Sequence, residues 1–66
     1  MKPMSGKDMC RILEENGWRL RRVAGSHHIY TKPGVESTIS VPVHAGKELK
    51  IGMQASILKT AGIRLD

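Results

Sequence analysis

The first 17 residues have the hydrophobic pattern of a capped helix. Apolar residues recur at helical spacing around Met9 and Leu13. Ser5 is a suitable N-cap, and Asn16 followed by glycine supplies a left-handed exit. We therefore expect a first helix over about residues 6–16.

The segment after this helix predicts a first strand. Its apolar residues are Trp18, Leu20 and Val23, and they stand among arginines. The alternation of apolar and polar positions slips after Leu20. A β-bulge or the end of the strand is therefore expected near Arg22.

Two further strands follow, each preceded by a turn. Residues 27–32 have the β-branched and aromatic content of a strand, and residues 37–43 alternate as a half-buried strand does. Turn-forming pairs at 25–26 and 33–34 precede them. Because Pro42 lacks a backbone N–H, the third strand should end there or lie at a sheet edge.

The end of the chain predicts a second helix and completes the fold class. Apolar residues including Met53 and Leu58 follow helical spacing over about residues 52–61, and Gly62 is a stop signal. The order is therefore α-β-β-β-α. An antiparallel three-stranded sheet with both helices on one face buries these stripes together. We expect an α+β fold in one domain over residues 1–66, with the other sheet face left to water or a ligand.

Length and charge narrow the classes of function. A 66-residue chain buries only about 60% of its unfolded surface, which excludes barrels and doubly wound nucleotide-binding folds. Eleven Lys and Arg against six Asp and Glu give a net charge of +5. This balance favours a polyanionic partner: nucleic acid, an anionic membrane surface or an acidic protein.

Cysteine content and hydropathy favour a cytoplasmic location. Cys10 is the single cysteine, so a disulfide within the chain is impossible and a reducing compartment is expected. No apolar run approaches the roughly 20 residues of a membrane span, and no signal-peptide pattern begins the chain. Cys10 and the three histidines lack the paired spacings of zinc sites. We expect no metal, no cofactor and no membrane association.

A pattern that extends along most of the chain resembles one protein family. Its parts are Gly25, Ser26 and His27 at a turn entering a strand, Ile29 and Tyr30, the strand at 39–43, His44, and the closing segment 52–63. In this order and spacing they resemble the HicA toxin family from Ser5 to Ile63. The resemblance implies a fold similar to double-stranded RNA-binding domains and ribosome-independent cleavage of mRNA. It also implies dependence on a histidine of the Gly-Ser-His segment and neutralisation by a HicB antitoxin that covers the active site.

Two adjacent histidines compete for the role that the resemblance implies. Family members carry this histidine directly after the Gly-Ser pair or one residue later, at His27 or His28. In a regular strand His27 shares the face of Ile29, whereas His28 shares the face of Tyr30. If Ile29 were in the core, His27 would point inward, unless the turn breaks the alternation. We take His27 as the first candidate and His28 as the second, with a solvent-exposed turn histidine as the plain alternative.

The residues around these histidines suit ribonuclease chemistry. RNA carries its own nucleophile, the 2′-hydroxyl, so the enzyme needs a base and cations that stabilise the phosphorane. Histidine exchanges protons near neutral pH. Residues 16–35 contain four basic residues and no acidic one. The expected RNA- or phosphate-binding residues are Arg19, Arg21, Arg22, Ser26, Tyr30 and Lys32.

Each of these assignments has a structural alternative. Tyr30 is expected either to stack on a base or to fill the core, because the chain has no Phe and one Trp. The arginine run is either a phosphate-binding surface or a solvated strand face. His44 follows a strand and is expected in a surface loop.

The sequence thus predicts a toxin that cuts mRNA without metal, uses His27 as general base and has a HicB-like antitoxin as partner. The alternative is a small basic RNA-binding module without catalysis. A third hypothesis for the function is an adaptor protein whose positively charged face binds an acidic protein.

Overall fold

A computed structural model describes residues 2–65 of the chain and confirms the predicted α+β fold. The element order is α-β-β-β-α. None of the helices in the described range is long and apolar enough to cross a membrane. The elements are α1 (Gly6–Glu15), β1 (Arg19–Ala24), β2 (His27–Lys32), β3 (Val35–Pro42) and α2 (Ile51–Ala61).

Local sequence signals set the ends of α1 as predicted. The Ser5 Oγ accepts a hydrogen bond from the Asp8 N–H at 3.0 Å, which satisfies one of the free donors of the first turn. The helix ends at Glu15, one residue earlier than expected, because Asn16 is its C-cap. Gly17 follows with φ 88°, a conformation that favours glycine.

The sheet is an antiparallel meander in the order β1-β2-β3. The predicted bulge is confirmed, since the register of β1 shifts between Leu20 and Arg22. A two-residue turn with Gly25 at φ 60° joins β1 to β2. Pro42 is the last residue of β3, and β3 is an edge strand. Both positions were expected, because proline has no backbone N–H to donate to a neighbouring strand.

The core lies on one face of the sheet, where both helices pack. Tyr30, Ile39 and Val41 supply the buried strand residues on this face, and we call it the covered face. The opposite face of the three strands is the open face. The core residues are Met9, Cys10, Leu13, Trp18, Tyr30, Ile39, Val41, Leu49, Ile57 and Leu58.

One detail of α2 differs from the sequence expectation. Met53, expected in the buried stripe, is 44% exposed, whereas the neighbouring Gln54 is fully buried. The Gln54 side chain accepts a hydrogen bond from the Met4 N–H at 2.9 Å and donates one to the Lys2 carbonyl at 2.8 Å. These bonds satisfy the buried amide and tie the N-terminal segment to α2.

The start of α1 packs directly against the end of β3. A Cβ at Gly6 would collide with the carbonyl oxygen of Pro42, so only glycine permits this approach. Pro42 is in turn the cross-strand partner of His27. The contact therefore holds the end of the sheet that carries the histidines.

Candidate functional site

The adjacent histidines lie on opposite faces of the sheet. His28 shares the covered face with Tyr30 and is half-buried, whereas His27 is exposed on the open face. Ile29 also lies on the open face and is outside the core cluster. The condition that would have turned His27 inward is therefore not met, and regular pleating by itself exposes this ring.

A hydroxyl from the neighbouring strand contacts the His27 ring. The Nδ1 of His27 and the Oγ of Ser40 lie 3.1 Å apart, within hydrogen-bond distance. A neutral imidazole donates from one nitrogen and accepts at the other. When Nδ1 donates to Ser40, Nε2 keeps the lone pair that accepts a proton.

The arginines of β1 reach the site to different extents. Arg22 pairs with Ile29 across the sheet, so it shares the open face and is a diagonal neighbour of His27, at a typical spacing of about 7–8 Å. Arg19 pairs with Thr31 near the far end of β2, and Arg21 occupies the bulge. All three arginines are exposed, and within residues 2–65 none of them forms an ion pair.

Ser26 and Lys32 do not join this group. Ser26 is half-buried, and its carbonyl accepts a hydrogen bond from the Val43 N–H at 2.7 Å, which ties the turn to the end of β3. Lys32 lies five residues from His27 along β2, about 16 Å at the rise of an extended strand. Its side chain approaches Gly17. Of these two residues, Ser26 therefore supports the His27 turn through its backbone, and Lys32 is remote from it.

Tyr30 is a core residue and is not placed to stack on a base. Its side chain is 1% exposed, and its hydroxyl donates a 2.6 Å hydrogen bond to Glu14 of α1. Burial, followed by hydrogen bonding, raises the pKa of this hydroxyl above its ordinary value of 10.0. The sequence left two alternatives for Tyr30, stacking on a base or filling the core, and the structure places it in the core.

His28 and His44 lie in other surroundings. His28 lines a cleft of about 290 Å³ between α1 and the covered face, together with Cys10 and Glu14. Burial is the main cause that raises the pKa of the Cys10 thiol. His44 is exposed in the loop after β3, as expected.

Across residues 2–65, no group of three His, Cys, Asp or Glu side chains is arranged to hold a metal ion.

Ser40 is the site residue that the sequence interpretation missed. It is 13 positions from His27 in the chain, so no local motif joins them. The available signal was the alternation of β3, in which Ser40 lies opposite in phase to Ile39 and Val41. The alternation shows only which face Ser40 occupies. The register of β2 against β3 determines that Ser40 lies next to His27 on that face.

Comparison with known proteins agrees with the resemblance seen in the sequence. A search of curated proteins gives no significant match. The family model described as the HicA toxin of bacterial toxin–antitoxin systems matches residues 6–63. This match includes all five elements and the His27–Ser40 contact. The chain therefore belongs to the HicA toxin family and is the toxin of a toxin–antitoxin system, a system in which the partner is a HicB antitoxin.

Proposed function

We propose that this toxin is a metal-independent endonuclease that cuts mRNA, with His27 as the general base. The observation that carries the proposal is the placement of an exposed imidazole, in contact with Ser40, on a sheet face that also presents Arg22. Family membership supports the same conclusion. The enzyme acts on mRNA in the cytoplasm.

The proposed reaction uses the 2′-hydroxyl of the substrate as nucleophile. Nε2 of His27 takes the proton from this hydroxyl while its oxygen attacks the adjacent phosphorus. The bond from phosphorus to the 5′-oxygen breaks, and this oxygen takes a proton from water. The products are a 2′,3′-cyclic phosphate and a 5′-hydroxyl.

Arginine supplies the charge that this reaction needs. The phosphorane carries more negative charge than the phosphodiester, so a nearby guanidinium stabilises the transition state more than the ground state. Arg22 is the arginine whose position on the open face brings it near His27. Arg19 and Arg21 extend the cationic surface along β1 and bind flanking phosphates.

Accessibility favours His27 over His28 as the base. An RNA backbone that lies on the open face reaches the exposed His27 ring directly. His28 is half-buried on the covered face, beside Tyr30 and α1. The cleft that His28 lines lies beside α1, on the sheet face opposite to the one that presents His27 and Arg22.

Product chemistry tests the proposal. Purified protein is incubated with end-labelled single-stranded RNA in EDTA, and we expect fragments that end in a 2′,3′-cyclic phosphate. The matched control is the same RNA with one 2′-deoxynucleotide at the cut position, which should remain intact. If the protein binds RNA but does not cut it, the endonuclease proposal is wrong and the alternative hypothesis of a non-catalytic RNA-binding module takes its place. Cutting of the deoxy control would show that another nucleophile acts.

The antitoxin is proposed to act at the same place. We expect a HicB-like antitoxin to cover the open face, so that it blocks RNA from His27. Added antitoxin should therefore abolish both cleavage and RNA binding. If RNA still binds to the complex with unchanged affinity, the antitoxin acts elsewhere.

A further inference from the structure

A cleft between β3 and α2 begins beside the proposed catalytic contact. Its volume is about 340 Å³, within the usual range for small-molecule sites. We call it the β3–α2 cleft. The residues that line it include Thr38, Ser40, Met53, Ser56, Ile57 and Thr60.

The chemistry of this cleft differs from that of the arginine-bearing surface. No charged side chain lines it within the described chain. Four of the lining residues carry hydroxyls, which both donate and accept hydrogen bonds. Ile57 is buried and Met53 is 44% exposed, so an apolar floor and a flexible thioether accompany these hydroxyls.

A nucleobase is the group that such a cleft suits. It is flat and uncharged, with donors and acceptors along its edge, and RNA-binding proteins hold unstacked bases by facial contact and by hydrogen bonds to that edge. Methionine sulfur makes favourable contacts with aromatic rings. Trp18 and Tyr30, the only large aromatic residues of the chain, are buried, so facial contact with a base has to come from residues such as Met53.

Ser40 links the cleft to the reacting group. Its Oγ lies 3.1 Å from the His27 ring, and Ser40 is also one of the β3 residues that line the cleft. A ribose placed with its 2′-hydroxyl at His27 therefore has the cleft on the far side of a single residue, Ser40. RNA phosphates on the cationic open face would leave the attached base beside this uncharged recess.

We propose that the β3–α2 cleft binds a base next to the cleaved bond and gives the enzyme a base preference. The inference rests on the proposed endonuclease function. It adds a specificity-determining role for Ser56 and Thr60 of α2, which neither the sequence pattern nor the proposed mechanism assigns. Both residues are exposed, so their replacement should leave the fold intact.

Cleavage of a panel of short RNAs tests this role. The RNAs differ by one base on either side of a single cut site, and kcat/KM is measured for wild type, Ser56→Ala and Thr60→Val. We expect one base to be preferred by wild type. The loss of one hydrogen bond should reduce this preference about three- to tenfold. Ser37→Ala removes an exposed hydroxyl outside the cleft and is the matched control, with the preference unchanged. The same preference in all four proteins would overturn the inference.

A binding experiment separates this inference from the nuclease proposal. The 15N-labelled His27→Ala protein is titrated with a tetranucleotide that carries 2′-O-methyl groups. We expect amide shifts at Thr38, Ser56 and Thr60 as well as on the open face. Shifts confined to the open face would overturn the cleft proposal and leave the nuclease proposal intact. Shifts in the cleft, with no cleavage of ordinary RNA by wild type, would support base binding while the nuclease proposal fails.

Discussion

The two faces of the same three strands have opposite characters. The covered face carries Tyr30, Ile39 and Val41, all nearly or fully buried beneath the helices. The open face carries His27, Ser40 and arginines of β1, all exposed. Because side chains alternate along a strand, neighbours one residue apart have different surroundings. The fold therefore separates residues that hold it together from residues free to meet RNA.

The largest stability difference is expected between the neighbours Ile39 and Ser40. Ile39→Ala removes buried methyl groups and should cost about 2–5 kcal/mol in the free energy of unfolding. Leu58→Ala in α2, also buried, should cost a similar amount. Ser40→Ala is exposed and should change stability by less than about 0.5 kcal/mol. Urea unfolding measures these values, and equal losses for Ile39 and Ser40 would contradict the assignment of faces.

Tyr30→Phe tests whether the covered face is purely structural. This change removes the hydroxyl that donates to Glu14 and keeps the ring. We expect a loss of about 1–2 kcal/mol in stability, because a hydrogen bond to a carboxylate is lost. RNA affinity in a filter-binding assay should not change. A fall in affinity without a fall in stability would place this residue in the RNA site.

Arg22→Ala tests the cationic character of the open face. We expect weaker RNA binding and a shallower salt dependence, with the slope of log K against log salt reduced by about 0.7 for single-stranded RNA. Arg11→Ala on α1 makes the same charge change beside Asp8, its ion-pair partner. This control should bind RNA almost as wild type does. Equal effects of the two variants would mean that net charge alone attracts RNA.

The smallest effect is expected at alkaline pH. Burial raises the pKa of both the Cys10 thiol and the Tyr30 hydroxyl. A group whose pKa is higher in the folded protein than in the unfolded chain stabilises the fold fully at any pH below its unfolded-state pKa. This stabilisation is lost as the pH rises through the folded-state pKa. The free energy of unfolding should therefore start to fall above pH 9.0, the ordinary thiol value.

The comparison protein for this pH effect is Cys10→Ala. Its stability should fall less steeply than that of wild type in urea unfolding from neutral pH to about pH 11. The lower overall stability expected from the lost thiol does not affect this slope. Identical slopes would show that the thiol does not contribute to the alkaline loss.

Much of the fold was predictable because its signals are local. The Ser5 cap, the turn glycines and the slip of alternation at Leu20 each act within a few residues. The element order follows from them. The bounds differ by about one residue at α1 and at the start of α2, and β3 starts at Val35, two residues earlier than expected. The inward turn of Gln54 was not predictable, because its hydrogen-bond partners Lys2 and Met4 lie about 50 positions away.

The candidate site was predictable only in part. The sequence pattern identified His27 and the arginine run, but it left open which residue of β2 enters the core. Tyr30 enters it because Glu14 satisfies its hydroxyl, an interaction between α1 and β2. The Ser40 contact and the β3–α2 cleft depend on strand register and on the docking of α2. No local sequence motif predicts the contact or the cleft.

Parallel assays of His27→Ala and His28→Ala test the central claim most directly. Single-turnover cleavage of one RNA in EDTA is measured for both variants and for wild type, with circular dichroism to verify folding. We predict that His27→Ala lowers the rate about 10²- to 10⁴-fold, as expected for loss of a general base. His28→Ala, on the covered face, should keep a rate close to that of wild type. A folded His27→Ala protein that cuts at the wild-type rate would contradict the account.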